Sequence, residues 1–125
     1  MQPSSVRIVH REEVSRNLIE WGSGRMRSED LLQWADALYP SDSVEYSDWE
    51  GDNSVTKETL AVLESLDMNL ALPEDSPIYL EFLSTPPGEF DAGYARFQDR
   101  LTAIDYESRR SQLRNVPLYS RFLQT

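Results

Sequence analysis

Three carboxylates alternate in DWEGDNS, at Asp48, Glu50 and Asp52. Oxygen ligands two residues apart are how a calcium-binding loop begins. The EF-hand form of that loop needs ligands at positions 1, 3 and 5, Gly at 6 and a bidentate Glu at 12. Counted from Asp48, position 6 is Asn53, position 12 is Thr59, and Gly51 falls at position 4. The pattern fails where the geometry is strictest, so the stretch reads as solvated acid and no metal site is assigned. The only histidine is His10, and there is no Cys. One His without Cys builds no zinc centre, and no H-E-x-x-H occurs. Ser4, Ser5 and Ser15 lie near His10, but nothing marks one as an activated nucleophile. Acid pairs of the glycosidase kind carry no weight in a chain with 22 acids. WGSGR holds two glycines without the Gly-Lys-Ser/Thr of a phosphate loop, and reads as a helix terminator. No catalytic residue and no cofactor is expected.

Charge says more than motif. The net charge is −10, and it is unevenly spread. Residues 1–28 carry five Arg against three Glu; residues 29–91 carry sixteen acids against Lys57 alone; residues 92–125 carry six Arg against three acids. An acidic middle repels phosphate, so nucleic acid and anionic membrane surfaces are disfavoured as partners. It suits a basic protein partner, a cation, or the chain's own arginines. Arg96, Arg100, Arg109, Arg110 and Arg114 are expected to pair with those acids rather than to form an anion site. MQPSSVRIVHREE has no apolar run of signal-peptide type, and no stretch approaches the roughly 20 apolar residues a membrane span needs. The expectation is a soluble, cytoplasmic protein.

The elements that must position these residues follow a helical period nearly throughout. Val14, Leu18 and Trp21 predict a helix over 10–21, closed by Gly22 and Gly24. Ser28, as a cap, with Glu29 and Asp30 in the first turn, opens a second helix over 29–38. Its face is Leu31, Trp34, Ala35 and Leu38, and Pro40 ends it. Asn53 or Ser54 caps a third, with Val55, Val62, Leu63 and Leu66 as its face. Pro73 to Pro77 starts a fourth, and Pro86-Pro87-Gly88 breaks it. Phe90, Tyr94, Phe97, Leu101 and Ile104 form the clearest stripe, on a fifth helix. Asp105 caps a sixth running to about Asn115, and Leu118 to Leu123 form a tail. Only Val6–Val9 reads as a short strand, and 41–54 reads as a loop or one or two irregular helical turns. With 39% hydrophobic residues, the chain can build a core. The fold class is therefore all-α: a single compact bundle of five to seven short helices in one domain spanning 1–125.

Within SDSVEYSDWEGDNS, Tyr46 and Trp49 are embedded among Asp42, Glu45, Asp48, Glu50 and Asp52. One reading tucks one or both aromatics into the core. The other is a protein-docking face made of these seven residues. Trp and Tyr are enriched at binding hot spots, and surrounding carboxylates steer a basic partner to them. On this reading the chain is a non-enzymatic acidic binding protein, of the kind that occupies a nuclease's basic surface. The competing reading is a structural or adaptor domain whose acidity serves solubility and internal pairing.

GRMRSEDLLQWADAL (24–38) resembles the opening of a group of small uncharacterised helical proteins of bacteria. There a short basic segment precedes a Ser-started helix with acids and then Trp-Ala, here Ser28, Glu29, Asp30, Trp34 and Ala35. VTKETLAVLESLDMNLALPEDSPIYLEFL (55–83) looks like the same group's second helical portion. The resemblance implies a bacterial helical protein and no chemistry. In size and acidity the chain is also similar in type to toxin-immunity proteins of the colicin and contact-dependent inhibition kinds.

Overall fold

The computed structural model describes residues 7–39, 41 and 43–123. Ser4, Ser5, Val6, Pro40 and Asp42 lie outside the described residues. Among those described there are seven α-helices and a two-stranded parallel sheet: β1 Arg7–Val9, α1 Arg11–Gly22, α2 Ser28–Leu38, β2 Val44–Tyr46, α3 Val55–Leu63, α4 Ser76–Leu83, α5 Phe90–Thr102, α6 Tyr106–Leu113 and α7 Pro117–Ser120. A 3₁₀ turn, Pro73–Asp75, leads directly into α4. The all-α class holds. Helices α1 to α6 fall where the apolar period places them, although α3 ends at Leu63, short of Leu66, and the expected tail opens with the short helix α7; the expected caps of α3 and α6 form. Ser54 Oγ accepts from the Lys57 N–H at 3.0 Å, and Asp105 Oδ1 from the Ser108 N–H at 3.1 Å.

Three local expectations change. The acidic stretch is neither loop nor helical turn throughout: Val44-Glu45-Tyr46 forms β2. Arg7, Ile8 and Val9 stand opposite Val44, Glu45 and Tyr46 in register. Strand side chains alternate faces, which buries Val44 and Tyr46 and leaves Glu45 outside. Parallel pairing needs a long crossover, and α1 with α2 supplies it. Ser28 does not cap α2; its Oγ instead accepts from Trp21 Nε1 at 2.8 Å, satisfying a buried indole. Gly22 ends inside α1, and Gly24, at φ +85°, makes the stop. A Cβ on Gly22 would meet the Ser76 side chain at 2.8 Å, so that glycine serves close packing of α1 on α4.

The core is an aromatic chain ringed by leucines. Trp21 meets Tyr79 edge-on at 6.1 Å, Tyr79 meets Phe97 edge-on at 5.5 Å, and Phe97 stacks on Phe82 at 4.4 Å. Such aromatic pairs add stabilisation beyond the area they bury. Of the α5 stripe, Phe97 is fully buried while Phe90, Leu101 and Ile104 are half-buried.

The last third of the chain is fastened to the middle by charge. Arg109, 7% exposed, forks onto Asp75, 3% exposed, with Nη1–Oδ2 at 2.5 Å and Nη2–Oδ1 at 2.6 Å. The same guanidinium donates to the Leu70 carbonyl at 3.1 Å, and Asp75 Oδ2 also accepts from the Leu72 N–H at 3.0 Å. Leu70 is the one described non-glycine with positive φ, +55°. That conformation costs about 1–2 kcal/mol, and the Arg109 bond to its carbonyl helps hold it. Tyr119 Oη donates to the Ala71 carbonyl at 2.6 Å, and Arg121 pairs with buried Asp67 at 2.9 Å.

Removing one partner of a buried pair strands the other charge, at about 3–5 kcal/mol. Arg109→Met alone should therefore lower unfolding free energy in urea by about that amount. Adding Asp75→Leu should recover much of the loss; a double variant no more stable than R109M would show that the pair's shape, not its charge, holds α6 in place.

Candidate functional site

The candidate docking residues sit on β2 and the turn that follows it, and the structure divides them into two groups. Tyr46, Asp48 and Glu50 work inward. Glu45, Trp49 and Asp52 face outward. Asp42 lies outside the described residues.

Asp48 is the anchor. Arg11 Nε donates to its Oδ2 at 2.7 Å, Thr56 Oγ1 at 2.9 Å and the Thr56 N–H at 3.2 Å, while Ser54 Oγ donates to Oδ1. Burial is the largest single influence on this carboxyl and acts to raise its pKa. The hydrogen bonds from Ser54, Arg11 and Thr56 together outweigh it and hold the pKa below the ordinary value. Arg11 also donates to the carbonyls of Leu83 and Thr85 at 2.9 and 2.5 Å. A cation at the carboxyl end of α4 meets oxygens with no helical donor. One guanidinium thus joins the start of α1, the acidic turn and the end of α4.

Glu50 fastens the other end. Both of its oxygens accept from the Gly88 N–H, at 2.9 and 3.0 Å. Glu50 and Asn53 also exchange backbone bonds of 2.7 and 3.1 Å across a tight turn, with Gly51 at φ +63°. Two breaks in the helical pattern, the acidic stretch and Pro86-Pro87-Gly88, are therefore tied to each other.

Tyr46 is in the core, 8% exposed, and meets Trp49 edge-on at 5.9 Å. Among the described residues its hydroxyl is the one sealed side-chain polar atom without a hydrogen-bond partner. Burial, then Tyr39 and Glu45, raises its pKa, so it stays a neutral phenol. Trp49 is 38% exposed, with Lys57 Nζ 5.3 Å from its ring centroid. Trp49 is thus backed by one aromatic and flanked by one cation, and only a little over a third of it is open to solvent.

Two acids join this face from elsewhere. A groove of about 410 Å³ is lined by Glu50, Glu89 and Asp91 at the start of α5. Their sequence distance from Asp48 hid them; only the acidic balance of 29–91 pointed their way. Among the described residues no three acids or histidines converge in a metal-holding arrangement. The reason is visible at Asp48, Glu50 and Asp52: the first two turn to different internal donors and the third faces solvent. His10 is exposed ahead of α1. Among the described residues no helix is long and apolar enough to cross a membrane. Of the C-terminal arginines, Arg100 pairs with Glu81 at 3.2 Å and Arg109 with Asp75.

No protein-family model, no curated protein and no solved structure matches the chain.

Two substitutions separate the inward roles. Asp48→Asn should cost about 1–3 kcal/mol near neutral pH, because four donors lose a charged acceptor. Since folding depresses the Asp48 pKa, its contribution is complete above the unfolded value, about 3.9, and disappears as pH falls through the folded value. D48N should therefore lose less stability than the parent on going below pH ~4, and parallel acid limbs in thermal melts would refute the assignment. Tyr46→Phe removes a buried donor that has no partner, so its melting temperature should equal or exceed the parent's; a clear drop would mean the hydroxyl is bonded.

Proposed function

We propose that the protein is a non-enzymatic binding protein of bacterial cytoplasm that docks a basic protein partner through the turn following β2. The observation that carries this reading is Trp49: a large aromatic, 38% exposed, held on a turn pinned at both ends by Asp48 and Glu50. A pinned aromatic offers contact area at little cost in ordering entropy. Glu45 and Asp52, exposed beside it, supply the field that draws a cation-rich surface. Glu89 and Asp91 extend that field along the Glu50 groove. An immunity protein or inhibitor of a basic toxin or nuclease is the most specific form of the proposal. Its support is the likeness in size and acidity to toxin-immunity proteins; the resemblance of 24–38 and 55–83 bears on the bacterial source alone.

The competing reading, a structural or adaptor domain, draws on a specific observation too. Tyr46 and Asp48 are internal, so part of the acidic stretch has a sufficient reason in the fold alone.

The roles of Asp48 and Glu50 decide how the test is built. Neutralising either would loosen the turn itself, so the informative variant is E45Q/D52N/W49A, whose side chains face outward. Native and variant chains, matched for melting temperature, serve as baits in host lysate at low and high salt. The proposal expects a basic protein held by the native bait, weakened by salt and lost from the variant. Retention of the same proteins by both baits, or capture by neither, would move the structural reading ahead.

A further inference from the structure

A second concavity lies away from the acidic turn. It is a cleft of about 440 Å³ between α3, the turn before the 3₁₀ segment, α4, α5 and α6. That volume lies within the range of small-molecule sites. Val62, Leu70 and Leu101 give it apolar walls, and Asn69, Gln98 and Thr102 add polar groups to the lining. Tyr79 contributes from the inside, 1% exposed as a whole residue but part of the lining. Tyr106 lines the same space, and Arg110 stands exposed in its lining. Arg110 forms no ion pair among the described residues, although its neighbour Arg109 is fully engaged. No acid contributes to the wall, in a chain that carries 22 of them. Burial first, and then Asp75, raises the pKa of both Tyr79 and Tyr106, so both phenols are donors across the physiological range.

We propose that this cleft is a binding site for a small aromatic carboxylate. A guanidinium grips a carboxylate through paired N–H donors, and phenol hydroxyls can complete the oxygen shell. The apolar walls take a flat ring. An amine or metal cation would find no charged acceptor in the lining. The net charge of −10 weighs against a polyanion, which leaves a monoanion with an apolar body as the best fit. The site is ready-made: Arg109 holds the Leu70 carbonyl, so the wall that Leu70 provides is fixed before any ligand arrives.

The test titrates the full chain, labelled with ¹⁵N, with 1-naphthoate, with neutral 1-naphthalenemethanol and with inorganic phosphate. The expected result is saturable naphthoate binding, with amide shifts confined to 68–70, 98–102 and 106–110. Arg110→Gln, an exposed change, should weaken naphthoate about tenfold or more and leave the neutral alcohol unaffected. Thr102→Trp, which fills the cleft, should abolish both. Phosphate alone should not saturate. Shifts scattered over the surface, or no saturation at millimolar naphthoate, would overturn the site. Equal loss of acid and alcohol in R110Q would overturn the carboxylate assignment.

Discussion

The seating of α6 against the middle of the chain depends on one buried ion pair, Arg109 with Asp75. Taking two charges out of water is costly, and their attraction repays it only where geometry and extra hydrogen bonds are nearly complete. Here the guanidinium and carboxylate meet fork to fork, Leu72 donates to Asp75, and Leu70 accepts from Arg109. The result is orientation more than net stability. Hydrophobic contact alone would let α6 slide along the bundle, since apolar contacts are non-directional. A two-point fork fixes its rotation and its height against the 3₁₀ turn. Tyr119 on the Ala71 carbonyl and Arg121 on Asp67 then bring the tail down onto the same 67–75 segment.

The same logic recurs at the N-terminal side with Arg11. It meets one carboxylate and two carbonyls, while Asp48 meets three donors besides it. The basic ends of the chain therefore do act as counterions to its middle, but selectively. Asp48, Asp67 and Asp75 are the acids so used where burial is significant. Glu81 pairs with Arg100 at the surface, where such contacts are worth about 1 kcal/mol or less. Glu45, Asp52, Glu89 and Asp91 make no ion pair among the described residues; the first two lie close to Trp49 in sequence, and the last two line the Glu50 groove.

The helices were legible because their signal is redundant. Val14–Leu18–Trp21 and Phe90–Tyr94–Phe97 each repeat the period over several turns, and Ser54 and Asp105 mark starts by a chemistry that works locally. β2 was not, because three residues of alternation in Val44-Glu45-Tyr46 carry too little pattern to stand out among acids. Its partner strand is also thirty-seven residues away in register. Ser28 shows a different limit. Its local chemistry says cap, and the Trp21 indole, brought close by the turn at Gly24, takes the hydroxyl instead. Burial of charge was the least legible feature. Arg109 and Arg110 are adjacent and alike in sequence, yet helix rotation turns one into the protein and the other toward the cleft.

That contrast bears on how a docking turn can be built from acids at all. A loop of five carboxylates repels itself, and left alone it would be extended and mobile. Pairing Asp48 with Arg11 takes one charge out of that repulsion, bonding Glu50 to the Gly88 N–H turns a second carboxylate aside, and both become pins. The remaining outward carboxylates no longer need flexibility to avoid one another. Trp49 is then displayed from a turn whose two ends are bonded to α1, α3 and the Pro86–Gly88 break, and its back is packed by Tyr46. The unpartnered Tyr46 hydroxyl fits this order of priorities: the ring is needed beneath Trp49, and its polar tip is carried at some cost to the core. Rigidity of the aromatic and freedom of the outer acids thus come from the same division of the acidic stretch into inward and outward residues.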